Sequence, residues 1–201
     1  MKNFIKKMLR ESLLDEGKQV GPLYHFTSLK RSVMILAENH MKIHTENGVT
    51  GIPMTRDKNF WNIERSVNGT DVRLEFDGNK ISNRFRIQPF NAFQLSARSL
   101  KSHETVESEE RVIVKDMRKF NVSDYLVNIT VNLDTIINYV KFKNQESENF
   151  GADILETLDI LKKFRQVAGY HNVPIIWEAK EVFADATIAD SIKVYLKNLM
   201  K

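Results

Sequence analysis

The sequence predicts an α+β fold built on a mixed, mostly antiparallel β core with flanking helices. Three observations lead there. Segments with period-two alternation, such as Val72-Arg-Leu-Glu-Phe76 and Tyr125-Leu-Val-Asn-Ile-Thr-Val131, are interspersed with segments of helical periodicity. They do not follow the regular βαβα rhythm of a parallel doubly wound sheet. No internal repeat or low-complexity tract interrupts them.

Taken in order, Phe4, Ile5, Met8, Leu9 and Leu13 recur at helical spacing and mark an amphipathic helix within a first segment, residues 1–17. The remainder, residues 18–201, reads as a single domain with a C-terminal helical elaboration. Leu23-Tyr-His-Phe26 reads as a short strand, and Thr27 and Ser28 are suited to cap a helix from Leu29 to about Asn39. Its buried stripe is expected to be Val33, Leu36 and Ala37. Met41-Lys-Ile-His-Thr45 alternates as a strand, Glu46-Asn-Gly48 as a turn, and Gly51-Ile-Pro-Met-Thr-Arg56 as a second extended piece. After the Val72–Phe76 strand, Asp77-Gly-Asn79 carries a turn signal, and Arg84-Phe-Arg-Ile-Gln88 alternates again. Residues 91–106 have few strand signals and suit a surface excursion. Glu107-Ser-Glu-Glu-Arg-Val-Ile-Val114 runs from clustered charge into a β-branched strand. A short helix from Leu133 to Tyr139 under an Asn132 cap follows the Tyr125–Val131 strand, and Lys141 to Asn149 is polar enough for a connector. Ile154, Leu155, Leu158, Leu161, Phe164 and Ala168 define the longest helix, closed by Gly169. Val173-Pro-Ile-Ile-Trp177 and a helix from Ile188 to Leu199 complete the chain.

Composition narrows the function classes. The 201 residues are 42% hydrophobic and contain no cysteine, so disulfides and thiolate metal sites are excluded. The absence of cysteine favours a reducing compartment, and the basic start Met1–Arg10 lacks the apolar stretch of a secretion signal. A cytoplasmic location is the resulting expectation. No apolar run approaches the roughly 20 residues of a membrane-spanning helix. A net charge of +4 and a pI near 9.2 favour anionic partners such as nucleotides or nucleic acid.

Four patterns carry candidate chemistry. His40-x-x-x-His44 has metal-ligand spacing on a helix, but His44 falls in an expected strand and no Glu follows His40. His25 ends a strand just before a helix cap, where a histidine is more often a structural group than a ligand group. Arg56 ends another strand and is either an exposed ion-pair partner or a phosphate clamp, which its rigid donor fork suits. In the charged strand start, alternation puts Glu107, Glu109 and Arg111 on one face and Glu110 with Val112 and Val114 on the other. Carboxylates two residues apart raise each other's proton affinity, so this is either a solvated strand start neutralised by Arg111 or a site.

Leu23-Tyr-His-Phe-Thr-Ser-Leu29, Met54-Thr-Arg-Asp57 and Glu107-Ser-Glu-Glu-Arg-Val-Ile113, in that order, resemble the ADP-ribosyltransferase superfamily. The arrangement is most similar to the DarT-like branch and to related uncharacterised phage proteins, some of them toxin-like. The resemblance spans about residues 22–115. It implies a split, mostly antiparallel β core that clamps NAD, used as a substrate, without a metal. It further implies Glu109 and Arg56 as catalytic residues, with Glu107 orienting the acceptor. His25, Tyr24, Thr27, Thr55 and Phe60 would line the NAD site. An alignment shifted by one makes Glu110 the catalytic carboxylate. Alternation favours Glu109 if Val112 and Val114 pack inward.

The implied activity is transfer of ADP-ribose to a macromolecular acceptor, either nucleic acid or a host protein. Two other readings stand beside it. One is a nonenzymatic NAD- or nucleic-acid-binding module on a degenerate transferase scaffold. The other is NAD hydrolysis without a macromolecular acceptor.

Overall fold

The structure, a computed structural model, describes residues 20–46, 49–59, 71–89, 109–114, 116, 120–144 and 150–201. The expected N-terminal helix, the turn at Asn47-Gly48, Phe60, residues 91–106 and Glu107 lie outside the described residues.

In chain order the elements are β1 (Pro22–Thr27), α1 (Leu29–Glu38), β2 (His44–Glu46), β3 (Val49–Thr55), β4 (Val72–Asp77), α2 (Gly78–Ser82), β5 (Arg86–Pro89) and β6 (Glu109–Ile113). They are followed by α3 (Val122–Tyr125), β7 (Leu126–Asn132), α4 (Leu133–Asn144), α5 (Phe150–Gly169), β8 (Ile175–Glu178), α6 (Lys180–Ala184) and α7 (Asp190–Leu199). The strands form one sheet in the order β5-β6-β3-β1-β4-β7-β8, with β2 paired to β3. Every pairing is antiparallel except that of β7 with β8. The class is therefore α+β with a mostly antiparallel mixed sheet. Among the described residues no helix is long and apolar enough to cross a membrane.

One junction in this sheet is thin. β1 and β4 share six paired positions, and β3 and β6 share four. β1 and β3, between them, meet only at Tyr24↔Thr55. Pro53 supplies the physical reason. In an extended strand the N–H and C=O of one residue point to the same side, and the Pro53 carbonyl points toward β1, where the His25 ring bonds it. The donor that proline lacks is thus one that would have faced β1, so the ladder cannot continue past Thr55. A single paired position thus joins the β1-β4-β7 half of the one sheet to the β3-β6 half.

Alternation sorts the residues of the β1-β4-β7 half. Leu23, Leu74, Phe76, Ile129 and Val131 are fully buried and meet a core that includes Ile137, Leu161 and Phe164 from α4 and α5. The intervening positions of β4 and β7 are polar. Arg73, itself buried, donates through Nη1 to the Lys58 carbonyl and through Nη2 to Thr130 Oγ1, both at 2.9 Å. Its guanidinium lies 5.6 Å from the centre of the Tyr24 ring. Asn128 Nδ2 donates to Glu75 Oε2 at 2.7 Å.

Local signals explain most element ends. Ser28 Oγ accepts from the Arg31 N–H at 3.3 Å, and the Asp71 carboxylate accepts from the Leu29 N–H at 3.1 Å, so two donors of the first turn of α1 are satisfied. Asn39 ends α1 in the left-handed region. Asn132 Oδ1 accepts from the Thr135 N–H at 3.0 Å and starts α4.

Several expectations are corrected. Asp77-Gly-Asn79 is not a hairpin turn. Asp77 Oδ1 accepts from the Lys80 N–H at 3.0 Å and caps α2, and β5 pairs with β6 rather than with β4. Asp and Gly favour a helix start as readily as a turn, and the available edge decided the pairing. The strand expected at Met41–Thr45 is reduced to β2, and α4 runs on to Asn144, into the first residues of the expected connector, whose remainder lies outside the described residues. Ala37 is exposed, Ser32 takes its place in the buried stripe of α1, and Leu155 is 68% exposed. The short α6 was not legible because its cap is remote: the Asp134 carboxylate accepts from the N–H groups of Lys180, Glu181 and Val182.

Gly51 sets the spacing of β3 and β6. A Cβ at this position would lie 2.6 Å from the Val112 carbonyl oxygen, a backbone atom with little room to retreat. Gly51→Ala is expected to cost about 1–3 kcal/mol, the range for overpacking. Urea denaturation measures it, and an unchanged midpoint would mean that the two strands are not held this closely.

Candidate functional site

The opening between β1 and β3 leads into a cleft of about 700 Å³. Its floor is His25, Phe26 and Thr27 of β1. One wall is α1, which contributes Arg31, Met34, Ile35 and Glu38. Pro53 of β3, its cross-strand partner Arg111 of β6 and residues of the segment His40–Thr45 complete the lining. The volume lies within the roughly 300–1,000 Å³ range of small-molecule sites.

His25 is fixed at the opening. A carbonyl can only accept, so its Nδ1–H donates to the Pro53 oxygen, at 2.8 Å. This leaves Nε2 as the acceptor of a neutral ring. Burial pushes the imidazole down to about 4 from an ordinary 6.5, against the opposing pull of the Pro53 bond, with smaller lowering contributions from His44 and Arg31. A ring that stays neutral in the fold but charges near 6.5 when unfolded stabilises the protein fully above pH 6.5 and loses that contribution as pH falls toward 4. The full effect is up to about 3 kcal/mol, reduced by the ring's partial exposure. His25→Asn retains a donor for Pro53 and cannot titrate. Denaturation at pH 7.5, 6 and 5 is therefore expected to show a shallower decline for the variant. Parallel declines would contradict a neutral buried ring.

On the other face of the sheet from His25, reached through its neighbour Tyr24, runs a row of paired positions from five strands: Asn128 on β7, Glu75 on β4, Tyr24 on β1, Thr55 on β3 and Glu109 on β6. Tyr24 and Thr55 are buried. The Tyr24 hydroxyl is pushed up by burial and then by Glu75, against a lowering by Arg73. Thr55 Oγ1 accepts from the Asp57 N–H at 3.0 Å and turns the chain at the end of β3. Glu110 is paired with Met54, whose side chain belongs to the core.

The residues singled out from the sequence are thus partly gathered. His25 and Thr27 line the cleft, while Tyr24, Thr55 and the backbone position of Glu109 form the adjoining row. Arg56 follows Thr55, is exposed, and is not among the cleft-lining residues. Phe60 and Glu107 lie outside the described residues. Three cations in the lining, Arg31, Lys42 and Arg111, were not assigned a ligand role from sequence. Arg111 is only 4% exposed, and nothing in the sequence signalled that burial, since it follows the acidic run ending at Glu110. Among the described residues no group of three or more His, Asp or Glu side chains is arranged to hold a metal ion.

Comparison with protein-family models, with curated proteins and with solved structures finds no match. The chemistry of the cleft is therefore read from its own residues. It offers a neutral histidine acceptor, a concave apolar-lined space, a cationic lining and, one strand pair away, a glutamate position. That set can bind a polyanionic ligand and stabilise positive charge developing beside a carboxylate.

Proposed function

We propose that the protein is an NAD-dependent ADP-ribosyltransferase acting on a macromolecular acceptor, on a split β core of the type its motifs resemble. The observation that carries this reading is convergence. Among the described residues, motifs around positions 25, 55 and 109 meet where β1 and β3 part, with Tyr24, Thr55 and Glu109 in consecutive paired positions and His25, next to Tyr24 on the other face of β1, lining the cleft.

In the proposed reaction the nicotinamide–ribose bond breaks heterolytically. The bonding pair leaves with the nicotinamide nitrogen, and positive charge develops on the ribose. The Glu109 carboxylate hydrogen-bonds the ribose 2′-OH and stabilises that charge more in the transition state than in the ground state. His25 accepts a ribose hydroxyl through Nε2 and holds the sugar in register. An acceptor oxygen or nitrogen then bonds to the anomeric carbon and releases its proton to solvent. Glu109 is favoured over Glu110 because Val112 and Val114 are buried, and by alternation Glu110 belongs with them.

The test is incubation of purified protein and cell lysate with NAD labelled in the ADP-ribose portion, followed by separate nuclease and protease digestion. Label on a macromolecule that one digestion releases supports transfer and identifies the acceptor class. Free labelled ADP-ribose alone would make the protein a hydrolase. Binding of NAD with no product would reduce it to a binding module.

A further inference from the structure

The C-terminal helices carry a second concave surface, remote in sequence from the motifs at residues 22–115. α5 and α7 meet along a groove of about 510 Å³, lined by Lys162, Arg165 and Gln166 of α5 and by Tyr195, Asn198 and Leu199 of α7. Each helix contributes positions i, i+3 and i+4, the spacing of one helix face. Leu199 is buried and Tyr195 half-buried, whereas Lys162, Arg165, Gln166 and Asn198 are exposed. Among the described lining residues Lys162 and Arg165 are cations and none is a carboxylate. The helix dipole does not account for this charge, since it acts within the last turn and α5 has no base there. Neutralisation along the helix does not account for it either. The Asp159 carboxylate, one turn back on α5, is engaged with Lys163 at 2.7 Å. Arg165 Nη1 donates to the Asn198 carbonyl at 3.1 Å, which holds the guanidinium in place and leaves the rest of its donor fork for another acceptor.

We propose that this groove binds a single-stranded nucleic acid, with Lys162 and Arg165 on its phosphates and Gln166, Asn198 and Tyr195 on its bases and sugars. The proposal goes beyond the transferase reading and does not rest on it. Cations alone would fit any polyanion, and the other side chains decide between partners. The amides of Gln166 and Asn198 each present an acceptor beside a donor. A base edge or a sugar hydroxyl can use both, whereas the carboxylates of an acidic protein only accept. Tyr195 adds an aromatic ring of the kind on which bases stack. In a duplex the base faces are already stacked on one another, so the groove favours an unpaired strand. The net charge of +4 agrees in sign.

The probe is a fluorescently labelled oligothymidylate of about 12 nucleotides, titrated with the full chain and followed by anisotropy. It is compared with the same strand annealed to its complement and challenged with unlabelled polyglutamate. The single strand is expected to bind at least about 5-fold tighter than the duplex and to resist polyglutamate at equal charge concentration. Lys162→Gln is expected to weaken the strand about 5- to 10-fold. It should also flatten the dependence of log K on log salt by about 0.7, the share of one phosphate contact on a single strand. Gln166→Ala changes no charge and is expected to weaken binding about 2- to 10-fold with the salt slope unchanged. Lys80→Gln, at an exposed lysine of α2 outside the groove, should bind as wild type does. All three side chains are exposed, so none of these substitutions disturbs the core. No saturable binding at low salt, or a salt slope that Lys162→Gln leaves unchanged, overturns the site. Equal binding of strand and duplex, or displacement by polyglutamate, overturns the partner. The titrations contain no NAD, so they succeed or fail independently of the transferase reading.

Discussion

Glu109→Gln is expected to slow nicotinamide release from NAD by about 10²- to 10³-fold, the cost of removing one preorganised group that stabilises transition-state charge. Glutamine preserves the size of the side chain and one acceptor, but it cannot oppose the charge that develops on the ribose. The loss should therefore fall on kcat, with KM little altered, because the interaction is made chiefly in the transition state. Chromatographic detection of nicotinamide gives both parameters. The same substitution at Glu110 separates the two possible alignments. Glu110 pairs with the core residue Met54, whereas Glu109 pairs with Thr55 in the row that reaches Tyr24. A larger loss at Glu110 than at Glu109 would reverse the assignment, and a Glu109→Gln enzyme within about threefold of wild type would remove it.

The second large effect concerns stability. Phe164 is fully buried on α5, with its ring 6.2 Å from Trp177 of β8 in an edge-to-face arrangement. α5 also packs against α1, the wall of the cleft, and against α4. Phe164→Ala is expected to cost about 3–5 kcal/mol, the sum of lost transfer energy and an unfilled cavity. For a chain of this length roughly 2–4 °C of Tm is lost per kcal/mol, so the melting temperature should fall by roughly 10 °C. Differential scanning calorimetry measures it. A shift below about 3 °C would show that α5 does not anchor the core as its burial indicates.

The fold was legible wherever local pattern and tertiary demand agree. β4 and β7 alternate because one face of their half of the sheet meets the core and the other carries Arg73, Glu75, Asn128 and Thr130. α1 was bounded correctly because Ser28 and Asn39 supply both caps. Where a residue type serves two local roles, the reading failed. Asp77 and Gly78 fit a hairpin turn and a helix start equally, and Gly78 is there because a Cβ would lie 2.1 Å from the Gly21 carbonyl oxygen. That close approach is invisible before the chain is folded.

The site divides in the same way. His25, Thr55 and Glu109 were singled out because each stands in a recognisable local motif, and the alignment of Thr55 and Glu109 with Tyr24, the neighbour of His25, follows from the register of three strands. Arg56 was favoured because it adjoins the second motif, yet the cations that line the cleft are Arg31, Lys42 and Arg111. None of these has a local signature. Arg31 resembles any exposed helix residue, and Arg111 resembles a neutraliser of the acidic run before it. Only the opening at Pro53, which follows from one missing N–H, brings them around a common space.

The central claim is that this opening is an NAD site, and a structure of the protein with NAD bound tests it most directly. The Glu109 carboxylate should lie within hydrogen-bond reach, about 2.6–3.2 Å, of the nicotinamide ribose, with His25 lining the same pocket. NAD bound elsewhere on the molecule, or bound here with the Glu109 carboxylate out of reach of its ribose, would contradict it.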